Sequence, residues 1–374
     1  MSLLVQQDVA EVEDASSKVD RDVAEISQFR LMARRFKKSR LAVISAYLLI
    51  FMYVCMLFSG FLSPNSPQFI NADATNLPPA KLTFASGGLA MCGRAQVLDQ
   101  ATLTYSYKID CNTKVPIQFF GKGFDYKILG VIPSNRHLMT VKPPQTLYLW
   151  GADSQGRDVF SRSLAGSRVS LTIGIVSVIL ATFVAAVLGT ASGYFGGAVD
   201  NIIQRVAEVI MSIPTLPLWL VLAAILPKDM SVTARYLMIS LILTAVGWPG
   251  LARQVRAKVM SYAHADYVNA ARVAGSGHAR IIGTHLLPNT VSHLVAVACL
   301  SIPGTIAAET SLSFLGVGMQ EPAISWGVLL QAAQKVDVVV SYPWILIPAV
   351  LVIVAVTAFQ LLGDGLRDAV DPYG

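Results

Sequence analysis

Long apolar runs alternate with shorter polar stretches along this chain. Six runs are long and apolar enough to cross a bilayer as helices, at about 41–61, 169–192, 205–226, 235–250, 290–316 and 344–362. The fourth is the weakest and ends at Pro249. Pro214, Pro217 and Pro303 fall inside runs and read as kinks, because neighbouring helices can satisfy the freed carbonyls. Gly189, Ala191, Ser192 and Gly193 read as a helix-packing face. Residues 1–20 are polar and acidic, a composition that predicts disorder. From Arg21 the pattern turns amphipathic. Val23, Ile26, Phe29 and Phe36 share one helical face, with Arg34, Arg35, Lys37 and Lys38 largely off it. That pattern fits a helix lying on the membrane surface, or an ordinary cytoplasmic helix.

Roughly a hundred residues separate the first two runs. Within them TLTYSYKI alternates like a strand, and Pro64, Pro67, Pro78, Pro79, Pro143 and Pro144 break up the flanks. The segment reads as a small insertion with a short sheet. Cys92 and Cys111 both lie in it and would be bonded or free according to compartment. Cys55 and Cys299 sit inside apolar runs and read as small buried hydrophobes.

Composition agrees with the pattern. Of 374 residues, 54% are hydrophobic and 14% charged, against roughly 25% charged in soluble domains. Mean hydropathy is +0.56. The placement of the basic residues matters more than the net charge of +6. Arg34 to Arg40 flank the first run, and Arg253, Arg256, Lys258, Arg272 and Arg280 fill the loop after the fourth. Lys228 and Arg235 are nearly alone after the third run, as is Lys335 after the fifth. Counting positive charges inside therefore puts both termini in the cytoplasm and the insertion outside. About forty residues precede the first run, too many for a cleaved signal.

Several chemistries are excluded. No basic patch interleaves with aromatics, which argues against nucleic acid. The nearest approach to a GxxxxGK[ST] loop, Gly88 to Arg94, lacks the Lys-Ser/Thr pair, so no ATP site of that kind is expected here. Scattered histidines and the absence of a nucleophile–base or metal-ligand spacing predict a chain without catalytic residues, metal or cofactor.

One polar stretch stands out, DYVNAARVAGSGHARIIGTHLLPN over residues 266–289. Asp266 can cap a helix running through Ala274, and Gly275 and Gly277 then break it. A second helix from about Ala279 would stop before Pro288. Ala270, Ala271 and Ala274 give the first helix a small-residue face that lets another backbone approach closely. The stretch is a docking knob or a plain connector.

Four stretches carry a family resemblance. Ala270-Ala271, Gly275 and Pro288 keep the AA-x3-G-x12-P spacing of the "EAA" loop of ABC importer permeases, with Asn269 in place of the usual Glu and His285 in place of an aliphatic. GADSQGRDVFSRSLAGSRVSL (151–171), ETSLSFLGVGMQEPAISWG (309–327) and FQLLGDGLRDAVDP (359–372) resemble segments of the C-type subunit of oligopeptide/dipeptide/nickel permeases. Ala152 and Ala323 depart from the usual Thr and Pro. Residues 62–150 match nothing in that family's pattern.

The resemblance implies an all-α polytopic membrane protein with the six-helix type I importer fold and an extracytoplasmic insertion between helices 1 and 2. Its parts would be a cytoplasmic tail and interfacial helix (1–40), helix 1 (41–61), the insertion (62–168), the permease core (169–364) with a coupling loop at 251–289, and a cytoplasmic tail (365–374). It implies a bacterial inner-membrane subunit that carries peptides, or nickel, opines or oligosaccharides. The implied partners are a homologous B-type permease, two ATPase subunits that hold ATP and Mg²⁺, an extracytoplasmic solute-binding protein and membrane lipid. Coupling would fall to Asp266, Tyr267, Asn269, Ala270, Ala271, Gly275, His285 and Pro288. Glu309, late in the fifth run, would have a gating or structural role; Arg205 and Glu208, three apart, would pair or serve function. A secondary transporter would need mid-membrane coupling carboxylates and inverted repeats, and neither is visible.

Overall fold

The computed structural model describes residues 28–85, 88–99 and 104–370. The acidic stretch 1–20, Val23, Ile26, and Asp371 and Pro372 of the tail lie outside these residues. Helix α1 (Gln28–Lys38) leads through the Ser39 cap into α2 (Arg40–Leu57), and a further turn, α3 (Ser59–Leu62), prolongs it. The remaining helices are α4 (Val159–Phe195), α5 (Gly197–Ser212), α6 (Thr215–Ala224), α7 (Val232–Ala263), α8 (Asp266–Val273), α9 (His278–Phe314), α10 (Trp326–Leu330), α11 (Val336–Ser341) and α12 (Ile347–Val370).

Among the described residues, five helices are long and apolar enough to cross a membrane: α2, α4, α7, α9, and α12 with its lead-in from Pro343. The third expected span is instead a pair, α5 and α6, bent by 88°. Pro214 caps α6 and Pro217 sits in its first turn, so these prolines start a new helix rather than kink one. The fourth span does not end at Pro249. Helix α7 carries that residue inside and runs on to Ala263, where its apolar face still has a core to cover. Residues 251–263, expected as loop, are therefore helical, and Arg253, Arg256 and Lys258 project from α7.

The core lies between α4 and α7, with α9 and α12 packed beside them and α2 against α12. Gly189 and Gly193 let α4 approach α7 closely, since a Cβ at either position would meet the backbone carbonyl of Ala252 or Arg256. Phe36 of α1 reaches Gly365 of α12, which ties the N-terminal helix to the C-terminal one.

The all-α expectation is corrected in the insertion, where seven strands among the described residues form three antiparallel sheets. β1 (Leu82–Ala85), β2 (Gly88–Asp99) and β3 (Thr104–Pro116) pair in that order. β4 (Gln118–Phe119) pairs with β7 (Met139–Thr140), and β5 (Lys122–Ile128) with β6 (Ile132–Arg136). Cys92 of β2 and Cys111 of β3 are joined by a disulfide.

Candidate functional site

Helix α8 is short, and its two faces differ. Val268 is fully buried in a cluster with Val255 and Val259 of α7 and Ile281 and Leu286 of α9, with Ala271 packed against it. On the other side Tyr267, Asn269, Ala270, Val273 and Ala274 face outward, and Val273 is 90% exposed. Asp266 does not cap this helix. The cap position belongs to Ala265, which makes no side-chain cap bond, and Asp266 stands in the first turn, where its charge complements the helix dipole. Asn269 donates from Nδ2 to the carbonyl of His264 and accepts from Arg272 at Oδ1.

The helix ends in a left-handed glycine. Gly275 has φ +78°, its N–H donates to the Arg272 carbonyl, and Ser276 N–H donates to that of Ala271. This is the Schellman arrangement, which satisfies carbonyls that the helix end would leave open.

Past the elbow the chain is helical without a break. His278–Arg280 is α-helical, Ile281–Leu286 forms a π turn, and Leu287 restarts the α-helix with Pro288 in its first turn. The second helix therefore does not stop before Pro288. The π turn shifts the bonding by one residue, with Leu287 N–H donating to Ile282, and that accommodates a residue lacking an N–H.

Two ties fasten the elbow to the spans. Tyr194 Oη, near the end of α4, lies 2.9 Å from His278 Nδ1, and the Arg272 guanidinium sits over the Tyr194 ring at 5.6 Å. Asn289 donates to the His285 carbonyl at 2.7 Å, and the Tyr267 and His285 rings are 6.2 Å apart. Asp266, Tyr267, Asn269, Ala270, Ala271, Gly275, His285 and Pro288 thus gather around one elbow. Val273, Tyr194 and His278 also belong to the elbow and were not singled out by spacing; an apolar side chain at 273 on the face opposite Val268 was the available signal.

Arg205 and Glu208 lie elsewhere, on α5. They pair at 3.3 Å, and Glu208 also meets Arg253 of α7 at 3.5 Å, all at exposed positions. Arg256 of α7 pairs with Asp200 of α5 at 2.5 Å. Glu309 is far from the elbow, late in α9 and fully buried. Its Oε1 accepts from Ser313 at 2.8 Å and its Oε2 from Ser170 of α4 at 3.2 Å. Ser170 Oγ in turn accepts from Trp326 N–H of α10, and Ser313 Oγ from Met319 N–H. One carboxyl therefore holds α4, α9 and α10 together.

The start of α4 carries a second charged centre. Asp158 caps the helix through the N–H groups of Phe160 and Ser161, and also accepts from Asn65 Nδ2. Burial pushes its carboxyl up to about 6. Arg157 bridges Asp153 at 2.7 Å and Glu321 at 2.6 Å, and Arg162 meets the same Glu321 oxygen at 2.9 Å. These residues line a pocket of about 310 Å³ together with Gln331.

Comparison with known proteins decides the family. Residues 185–373 match the binding-protein-dependent transport system inner membrane component family, and residues 27–79 match the N-terminal TM domain of oligopeptide transport permease C, which extends the likeness to residues 62–79, where the motifs had shown none. The chain belongs to this family of ABC importer permeases. The permease is 33% identical over 232 residues to the oligopeptide transport system permease protein OppC of Bacillus subtilis, covering 62% of this chain and 73% of that one. The dipeptide transport system permease protein DppC of the same organism is 36% identical over 232 residues, covering 62% and 70%. OppC of Haemophilus influenzae is 36% identical over 239 residues, covering 63% and 74%. The permease is thus a multi-pass membrane protein of a family whose members work in ABC peptide transport systems.

Proposed function

We propose that this chain is half of the translocation path of a peptide importer in a bacterial inner membrane. A homologous B-type permease supplies the other half. Two ATPase subunits dock on the elbow at α8 and hold the ATP and Mg²⁺, and an extracytoplasmic binding protein delivers the solute. The α5–α6 pair counts as one span, giving six crossings, both termini in the cytoplasm and the sheets outside. The observation that carries the reading is the two-sided α8: Val268 plugs into the permease's own core while the Tyr267–Val273 face stays open. A helix held firmly on one side and bare on the other suits a docking element that transmits force.

In this reading closure of the ATPase pair moves α8, and the Tyr194–His278 contact passes the displacement to α4. ATP favours one of two arrangements of the spans and so shifts their populations. Asp266, Asn269, Ala270 and Gly275 shape the docking face, Ala271 packs beside Val268 on the inner face, and Tyr267, His285 and Pro288 set the angle of the elbow. Glu309 has a structural role, pinning α10 against α4, and Arg205 and Glu208 form a surface pair. Peptide is the substrate class supported by the relatives' names.

The test is depletion of a mixed medium of short peptides, oligosaccharides, opines and nickel by cells with and without the gene, read by mass spectrometry. Selective loss of peptide uptake is expected. Selective loss of sugar, opine or nickel uptake overturns the substrate class, and unchanged uptake of all four overturns the importer reading.

A further inference from the structure

The β5–β6 hairpin carries its most apolar residues at its tip. Leu129, Val131 and Ile132 expose 57%, 77% and 58% of their surface, within the run Lys127-Ile128-Leu129-Gly130-Val131-Ile132-Pro133. Among the described residues the two strands pair only with each other, and no other strand lies against that tip. Leu129 also has φ +52°, in the left-handed region where glycine, asparagine and aspartate are favoured in turns. Phe120 at the hairpin's base repeats the anomaly, with φ +56° and 56% exposure. Large apolar side chains thus occupy two strained and exposed backbone positions. Phe120 has the Phe61 ring as a neighbour at 6.0 Å, whereas neither turn chemistry nor core packing accounts for Leu129.

The way the hairpin is mounted tells what meets the tip. Helical hydrogen bonding continues from α2 into α3, with Phe58 N–H donating to Val54 and Leu62 N–H to Phe58. Leu138 N–H donates to the Phe61 carbonyl at 2.8 Å. One residue nearer the tip, His137 Nδ1 lies 2.9 Å from the Gly60 carbonyl, and the Tyr126 ring lies against Gly60. Steps toward the tip are therefore steps back along α3 toward α2. The hairpin is thus mounted on α3, just past the end of the span, where Val54, Leu57 and Phe58 are themselves 45%, 42% and 41% exposed. Lys127 is exposed near the tip, and Lys122 and Arg136 face each other, exposed, at the base, where Arg136 donates to the Phe120 carbonyl; Asp125 is the one acidic residue between them.

We propose that the β5–β6 hairpin is a second membrane contact of this chain. Leu129, Val131 and Ile132 enter the boundary between headgroups and acyl chains beside α2, and Lys122, Lys127 and Arg136 meet lipid phosphates. An apolar tip with cationic side chains behind it along the hairpin, mounted at the end of a span, matches the chemistry of the bilayer interface. Exposed apolar patches of this kind mark interaction surfaces. The inference rests on α2 crossing the membrane and does not depend on what is transported.

The experiment places a nitroxide at Val131→Cys in the full chain, after Cys55→Ala and Cys299→Ala. The assembled transporter is held in phosphatidylethanolamine–phosphatidylglycerol nanodiscs. A matched label at Phe84→Cys serves as reference, because Phe84 is 78% exposed on a different sheet. Collisions with oxygen, which concentrates in lipid, should exceed those with a water-soluble nickel chelate several-fold at position 131, with the reverse at position 84. Equal nickel access at the two sites overturns the proposal. So does a label at 131 that is shielded from nickel only after the binding protein is added, since the tip would then be a protein contact. Both substitutions are at exposed positions, and uptake plays no part in the readout, so failure here stays separate from failure of the importer reading.

Discussion

Val268 and Val273, five residues apart on one helix, occupy opposite environments: the first is fully buried and the second is 90% exposed. The same residue type therefore does two jobs, anchoring α8 to the permease and offering an apolar contact outward. Val273→Asp should leave thermal stability within about 0.5 kcal/mol. It should also reduce co-purification of the ATPase subunits and uptake together, by about tenfold, which corresponds to roughly 1.4 kcal/mol of docking energy. Val268→Ala should instead lower stability by about 1–2 kcal/mol through a small cavity. Normal ATPase recovery with Val273→Asp would remove this residue from the docking surface.

Gly275 offers a cleaner separation of strain from collision. A Cβ there would meet no atom, so a side chain costs only what the left-handed backbone demands, about 1–2 kcal/mol. Gly275→Asn should be close to neutral and Gly275→Val disruptive to the elbow, with ATPase binding lost in detergent-purified protein that is otherwise folded. If Gly275→Val keeps full uptake, the elbow's geometry is unimportant to coupling.

Glu309→Ala would leave Ser170 and Ser313 without their buried acceptor. A loss of about 1–3 kcal/mol is expected in a thermal-unfolding assay, and Glu309→Gln, which keeps one acceptor, should lose less. A variant Glu309→Ala as stable as the parent would mean the carboxyl is not holding α10.

Arg162 is almost wholly buried, and Glu321, its carboxylate partner, is half exposed. Breaking the pair with Glu321→Gln should therefore cost about 1–2 kcal/mol, less than a fully buried pair would. Adding Arg162→Met should recover part of that loss, which a double-mutant cycle would detect as a coupling term. Strictly additive losses would show that the two charges do not support one another.

Asp158 sets a pH dependence of definite sign. Its carboxyl titrates at about 6 in the folded protein against 3.8 unfolded, because burial disfavours the charged form. The folded state holds the proton more tightly, so this contribution is fully present below about pH 4 and disappears as pH rises through about 6. The melting temperature of the parent relative to Asp158→Asn should fall across that window. A constant difference between them would contradict the shift.

Much of the spanning architecture was legible because continuous apolar runs leave a chain few alternatives in a membrane. The ends were not. Pro249 looked like a terminator, yet α7 continues for fourteen more residues, to Ala263, because Val255 and Val259 still face a core. The bend after Ser212 was visible only as two prolines, and apolarity alone cannot tell a kink from a new helix. In the insertion, the alternation of TLTYSYKI foretold β3, whereas Gly121 and Gly123 blurred the strand pattern around β5. The Arg162–Glu321 pair joins residues 159 apart and had no local signal at all. At the elbow, the small residues and the glycine break were readable, but the buried and open faces of α8 depend on α7 and α9 lying beneath it.

Helix α4 has 37 residues, so it is about 55 Å long, well beyond the roughly 30 Å of a bilayer's hydrocarbon. Arg162 stands one turn from its beginning and Tyr194 one residue from its end. The ion-pair cluster at the start of α4 and the elbow at its end are therefore mounted on a single shaft. Turning that shaft about its axis swings both fittings through the same angle at the same moment, so neither end can be reset while the other is still clamped.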